Sequence, residues 1–325
     1  MARTRLLALC SAALLLAACA TPPQPLVVRI GIAGPMSGVI AHLGKDNERG
    51  AQLAIEDLNQ RHISIGGRPA TFELVSRDDR ADPREATVVA QQLVAAKVQG
   101  IVGHLNSGTS IPAAKTYAEA GIPAVTPSAT NPRLTRQGWR TAFRVVVDDH
   151  SAGRLMGRHV ATAGGFQAIA VVDDRTAYGQ GLADAFVSGL REAGSAPRDR
   201  FFTQDRATDF TVLAQQIQAV RADAVFFGGM DNQAAGLLET LTRQGWQGRF
   251  FGGDGICTSL LARVKAASQV LCAEPARYLP VLAATKDCRG ITGPIGFDAR
   301  GDLLSPQLPL YSYRDGKRVF VQVIR

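Results

Sequence analysis

The chain has 325 residues, enough for one large domain or two of medium size. With 46% hydrophobic and 20% charged residues it has an ordinary globular balance and can bury a sizeable core. The formal net charge is +8, but Lys and Arg are scattered rather than gathered into the stripe nucleic-acid binding requires, so no nucleic-acid partner is expected.

Residues 1–20 read as a targeting segment: Arg3 and Arg5 precede the apolar run Leu6–Ala18. That run is too short to span a bilayer, which takes roughly 20 residues as a helix. Its end, Leu16-Ala17-Ala18-Cys19, resembles a bacterial lipobox, which makes Cys19 the expected lipid anchor; ordinary cleavage at an A-x-A site is the alternative. Residues 21–26 form a short Pro-rich tether.

Val27–Ala33 is a β-branched apolar run and is expected as a buried first strand. The glycines at 31, 34 and 38 do not make a dinucleotide fingerprint. Lys45–Asn59 carries Ala51, Ala54, Ile55 and Leu58 at helical spacing. Thr71–Ser76 follows as a strand. Asp82 then caps a helix with Pro83 at its first position. Gly100–Leu105 and Ile122–Thr126 are strands on either side of a helix opened by Ser107, Thr109 and Ser110. Phe143–Val147 is the next strand, and Asp148-Asp149-His150 opens another helix.

A second series of the same kind begins with the strand Ala168–Val172. Its helix carries Leu182, Ala185, Phe186, Gly189 and Leu190 on one face. The strands Phe201–Thr203, Ala224–Phe227 and Arg249–Phe251 alternate with helices marked by Leu213 and Ile217, then by Leu237 and Leu241. Such alternation implies parallel sheets with helices on both faces, in two similar lobes with a cleft between their strand ends. Beyond residue 257 the pattern changes. Gln269–Ala273 reads as a strand, Ala276–Thr285 as a helix and Thr292–Gly301 as a loop or hairpin. Leu308–Tyr313 and Arg318–Ile324 flank Asp315-Gly316 as a hairpin.

Chemistry concentrates between Gly103 and Pro132. Ser107, Thr109 and Ser110 follow one strand, and Ser128 and Thr130 follow the next. In open parallel sheets ligands sit beyond the carboxyl ends of strands. Hydroxyls and helix-start N–H groups suit a carboxylate, and no nucleophile–base pair is present. The stretch reads as a holding site, and no enzyme is expected. His104 reads as a structural histidine, and Asp78 and Asp79 as turn or cap residues. No metal spacing and no cofactor motif occurs. Cys257, Cys272 and Cys288 leave one disulfide and one free thiol possible, with the pairing open.

The ordered motifs I-G-I-A-G-P-M-S-G, G-A-Q-L-A-I-E-D-L-N, G-H-L-N-S-G-T, T-P-S-A-T-N-P, D-D-R-T-A-Y-G-Q-G and G-G-D-G resemble the branched-chain (Leu/Ile/Val) amino acid ABC transporter substrate-binding proteins, which have the type I periplasmic binding fold. The resemblance implies residues 27–147 plus about 273–305 as lobe 1, and 148–272 plus about 306–325 as lobe 2. It implies a periplasmic, lipid-anchored, monomeric receptor that passes an amino acid to an ABC permease. It places Ser107 and the Thr130 backbone on the ligand carboxylate. It places the Ser128 carbonyl, the Thr130 hydroxyl and Asp254 on the ammonium, with Tyr178 closing from the second lobe. Leu43 and Met230 stand where the family carries aromatics, and Asp254 where it carries Glu. Ala81 and Asn106 stand where some members have a disulfide. Several tens of residues of the family are lacking near Pro275, so an incomplete first lobe is expected. The alternatives are a small amide, urea-like or aromatic acid ligand on the same fold, or a non-transport sensor or envelope-interaction protein.

Overall fold

This computed structural model describes residues 24–163, 165–273, 289–290, 293–294, 298–302 and 308–324. The leader with Cys19, the expected helix 276–285 and Cys288 lie outside the described residues.

In the first lobe β1 (Leu26–Gly34), β3 (Arg68–Asp78), β4 (Gly100–Gly103), β5 (Ala124–Thr126) and β6 (Ala142–Arg144) form a parallel sheet, with the short β2 (Ser64–Ile65) antiparallel on β3. Its helices are α1 (Ala41–Gln60), α2 (Pro83–Ala95), α3 (Ser107–Glu119) and α4 (Arg133–Arg136). The strand order β2-β3-β1-β4-β5-β6 puts the reversal of winding at β1. The α2 start follows the sequence expectation: Asp82 accepts hydrogen bonds from the Arg84 and Glu85 amides, and Pro83 occupies the first turn. Ala86, Val89, Ala90 and Leu93 bury one face of that helix against Ile101 and Tyr117.

The second lobe repeats the plan. Its strands are β7 (Ile169–Asp173), β8 (Asp199–Phe202), β9 (Ala224–Gly228), β10 (Arg249–Gly252) and β11 (Val270–Ala273). Its helices are α5 (Asp149–Ala163), α6 (Ala177–Glu192), α7 (Thr211–Ala219) and α8 (Asp231–Arg243). The pairs β12 (Arg289–Gly290) with β13 (Gly293–Pro294), and β14 (Leu308–Arg314) with β15 (Lys317–Ile324), are antiparallel. The sheet runs β15-β14-β11-β10-β9-β7-β8 and reverses at β7. β7 and β9 are buried at every position, so their apolar runs are continuous rather than alternating. Phe186 of α6 stacks on Phe226 of β9 with ring centroids 3.8 Å apart. The expected hairpin forms, with Asp315 and Gly316 both at positive φ.

Several boundaries differ from the sequence reading. β6 ends at Arg144, because Val145–Val147 leave the sheet as a buried crossover into the second lobe. β4 ends at Gly103 and β5 starts at Ala124, where sheet pairing begins. β2 was not expected; Gly66 and Gly67, both at positive φ, turn it back onto β3. Three single-turn 3-10 helices, at Asp254–Ile256, Leu261–Arg263 and Ala267–Gln269, fill the region between β10 and β11. There Cys257 and Cys272 form a disulfide that closes a 15-residue separation.

Candidate functional site

The loops after β1 and β4 in one lobe, and after β7 and β9 in the other, leave the carboxyl ends of strands at the two reversal points and face each other. Between them lies a cavity of about 140 Å³ whose wall includes Leu43, Ser107, Ser128, Tyr178, Met230 and Asp254. Thr130 is buried behind this wall, at 2% exposure. Leu43 and Asp254, 211 positions apart in the chain (254 − 43), are thereby brought to one pocket.

On the first-lobe side Ser107 is the first residue of α3, and its Oγ accepts the Asn131 amide at 3.1 Å. Its own hydroxyl proton therefore remains for an acceptor. Asn106 provides no side-chain cap, so the first amides of α3 are left for an anion. The Ser128 hydroxyl donates to the Leu105 carbonyl at 3.0 Å, which ties the loop after β5 to the loop after β4. The Thr130 Oγ1 is buried beside the Asp149 carboxyl, and the Thr130 carbonyl accepts the Asp149 amide at 2.9 Å.

On the second-lobe side the Tyr178 hydroxyl donates to Asp254 Oδ1 at 2.9 Å and accepts the Gly255 amide at 3.0 Å. Burial, then the Asp254 and Asp149 carboxylates, push the Tyr178 hydroxyl well above its ordinary pKa, so it stays a donor. Asp149, at the start of α5, was not picked out from the sequence. It is 1% exposed, and its Oδ2 has no hydrogen-bond partner. Burial and the neighbouring Asp254 hold its carboxyl well above the usual carboxylate range. Asp149 and Asp254 thus place two neighbouring carboxyl groups at and behind the pocket. The sequence signal was present in Asp148-Asp149, but an acid in the first turn of a helix ordinarily serves the helix itself.

The lobes are bridged beside this pocket. His42 of α1 meets Asp231 Oδ2 at the start of α8, at 2.8 Å, and Thr258 donates to the same oxygen. Asn131 donates to the Ala177 carbonyl at 2.6 Å. Behind the loop after β5 the fully buried Arg144 donates to the carbonyls of Ala129 and Asn131, to Thr135 and to Asp302. His104 is satisfied as expected, between Asp79 Oδ2 at 2.7 Å and the Tyr117 hydroxyl at 3.0 Å. Asp78 accepts the Met36 and Arg80 amides and the Ser37 hydroxyl, the turn role expected of it. Among the described residues no group of three or more His, Cys, Asp or Glu is poised to hold a metal, and no helix is long and apolar enough to cross a membrane.

The profile of the periplasmic binding protein family matches residues 27–289. The chain belongs to that family. A Pseudomonas aeruginosa "Amino acid binding protein" is 36% identical over 244 residues, 74% of this chain and 64% of that protein. A Brucella abortus "Leu/Ile/Val-binding protein homolog 1" is 34% identical over 237 residues, 73% of this chain and 63% of that one. The chain thus spans somewhat under two thirds of the length of these curated relatives. A leucine binding protein, LivK, from Thermotoga maritima superposes with a TM-score of 0.81 at 23% identity, covering 91% of this chain and 98% of that one. An R. palustris ABC transporter solute binding protein in complex with benzoate superposes at 0.79 with 18% identity, covering 91% and 96%. These two likenesses establish the fold: a type I periplasmic binding protein with two parallel-dominated lobes.

Proposed function

We propose that this periplasmic binding protein captures a branched-chain or related amino acid between its lobes and delivers it to an ABC permease. The observation that carries the reading is the polarity of the pocket. An uncapped helix start and the Ser107 hydroxyl lie on one side and the half-buried Asp254 on the other, with the buried Asp149 behind the wall. A zwitterion satisfies both sides at once, and charge-assisted bonds are the strong ones in a dry site. Leu43, Leu105 and Met230 supply the apolar wall for a side chain. Ser107 and the Thr130 backbone take the carboxylate. The Thr130 hydroxyl, the Ser128 carbonyl, Asp254 and Asp149 take the ammonium, and Tyr178 orients Asp254. The role this reading gives the pocket is transport rather than catalysis. Residues 27–147 with about 273–305 serve as lobe 1 and the remainder of the mature chain as lobe 2, with Cys19 as the lipid anchor.

Thermal unfolding of the refolded, ligand-stripped protein against a panel of amino acids, amides and aromatic acids tests this. A ligand at roughly 100 times its dissociation constant stabilises by about 2.7 kcal/mol, a rise of roughly 5 °C for a chain of this size. Leu, Ile or Val should give that shift, and Asp254→Ala should remove it. Benzoate has no ammonium for Asp149 and Asp254. A shift with benzoate that survives Asp254→Ala would replace the amino acid by an aromatic acid.

A further inference from the structure

Beside the small pocket lies a larger compartment of about 910 Å³, and Asn106, Tyr178 and Met230 line both. Four arginines line this compartment: Arg80 and Arg133 from the first lobe, Arg175 and Arg206 from the second. Its acids are the buried Asp174 and the exposed Asp205. Arg80 and Arg133 have no ion pair among the described residues. The Arg175 guanidinium lies 3.5 Å from the Phe202 ring centroid rather than on a carboxylate. Arg206 lies near Asp82, the cap of α2.

Two of these arginines sit on twin turns. Asp78-Asp79-Arg80 ends β3, and Asp173-Asp174-Arg175 ends β7. In each turn the Arg amide donates to the first Asp, at 2.9 and 3.0 Å, and the next amide donates to the second Asp, at 3.0 Å in both. Both arginines have positive φ, +53° and +63°. That conformation disfavours a residue with a Cβ. Each lobe therefore holds an exposed arginine at a positive-φ turn position on the wall of one shared cavity.

We propose that this compartment receives an anionic group at the far end of the ligand, held between Arg80 and Arg175 from opposite lobes. Resting on the amino acid reading of the small pocket, the ligand class becomes amino acids with a second carboxylate on a long or amide-bearing side chain. Met230, a flexible side chain that lines both compartments, is the gate between them. Asn106 and Asn232 also line the compartment, and their side-chain oxygens are buried without hydrogen-bond partners. A carboxylate bridging both arginines also favours the closed arrangement of the lobes, because it binds only when the two turns face each other.

The test is calorimetric titration of the refolded, ligand-stripped chain with L-leucine, L-norleucine, L-2-aminopimelate, γ-L-glutamylglycine and pimelate. L-2-aminopimelate or γ-L-glutamylglycine should bind at least tenfold tighter than L-norleucine. Arg80→Gln and Arg175→Gln should each remove about tenfold from that affinity, with binding of L-leucine unchanged as the control for folding. The advantage should shrink at high salt. L-leucine binding with no preference for the acidic ligands, or a preference that both substitutions leave intact, overturns this inference and leaves the amino acid reading standing. Absence of binding by every amino acid overturns both. Pimelate binding as tightly as L-2-aminopimelate keeps the arginine site and removes the ammonium assignment.

Discussion

Asp174 offers a quantitative check on the buried electrostatics of the cleft. Its carboxyl is 1% exposed, and its Oδ1 holds the Thr176 amide and hydroxyl while Oδ2 has no hydrogen-bond partner. Burial pushes its pKa from 3.8 up to about 6; the Thr176 bonds oppose this, and the Asp173 and Asp205 charges add to it. At 1.36 kcal/mol per pKa unit, ionising this group in the folded chain costs about 3 kcal/mol more than in the unfolded one. Because the folded pKa is the higher one, the stability linked to this group is fully present below pH 3.8 and is lost as pH rises through about 6. Asp174→Asn keeps an oxygen for Thr176 and removes the ionisation. In urea titrations the variant should therefore exceed the wild type by up to about 3 kcal/mol at pH 8. The gap should be roughly halved at pH 5. A difference that stays constant with pH, or a variant less stable at pH 8, would refute the account of why this carboxyl is perturbed.

Three further predictions concern the scaffold. Reducing the Cys257–Cys272 disulfide, or replacing both residues by Ser, opens a 15-residue loop. That should cost about 3 kcal/mol, seen as a midpoint about 5 °C lower in a melting curve. Asp302→Ala strands the fully buried Arg144 guanidinium and should lower stability by about 3–5 kcal/mol; Arg144→Met combined with it should recover most of the loss in the same chemical denaturation assay. Gly157→Ala should destabilise by about 1–3 kcal/mol, because the added Cβ meets the Phe186 carbonyl where α5 crosses α6, and calorimetry on the purified variant reads this directly.

Much of the scaffold was legible because it is written locally. Asp82-Pro83 signals a helix start by a cap and a fixed φ, and Asp315-Gly316 signals a hairpin by tolerance of positive φ; both act within four residues. The apolar strands of the second lobe were legible for a different reason. A strand buried on both faces has no polar alternation to blur it. What escaped depends on partners far along the chain. Asp149 looks like any first-turn acid until Asp254 is brought beside it. Arg144 lies inside the expected strand Phe143–Val147 and has no signal in the sequence that pairs it with the distant Asp302. Three cysteines could not be paired on paper, whereas the 3-10 turns after β10 bring Cys257 within 5.5 Å of Cys272 between α-carbons. Gly153, Gly157 and Gly189 each mark a close approach of α5 and α6 that shows only once the two helices are packed. Of the candidate site, the first-lobe hydroxyls and Asp254 stand on or behind one pocket wall, while the Ser128 hydroxyl turned out to brace its own loop.

The salt bridge between Arg144 and Asp302 joins residues 158 positions apart, and everything in the second lobe from α5 through β11 lies between them. Proteins emerge and cross membranes from the amino end. The loop that carries Ser128 and Thr130 is therefore made early but receives its last brace late, only after residue 302 has been delivered. Until then Arg144 must stay hydrated, and the carbonyls of Ala129 and Asn131 have no guanidinium to organise them. Ordering of that loop is thus tied in time to arrival of the far end of the fold. A product cut short between the two residues would keep an interior cation without its carboxylate.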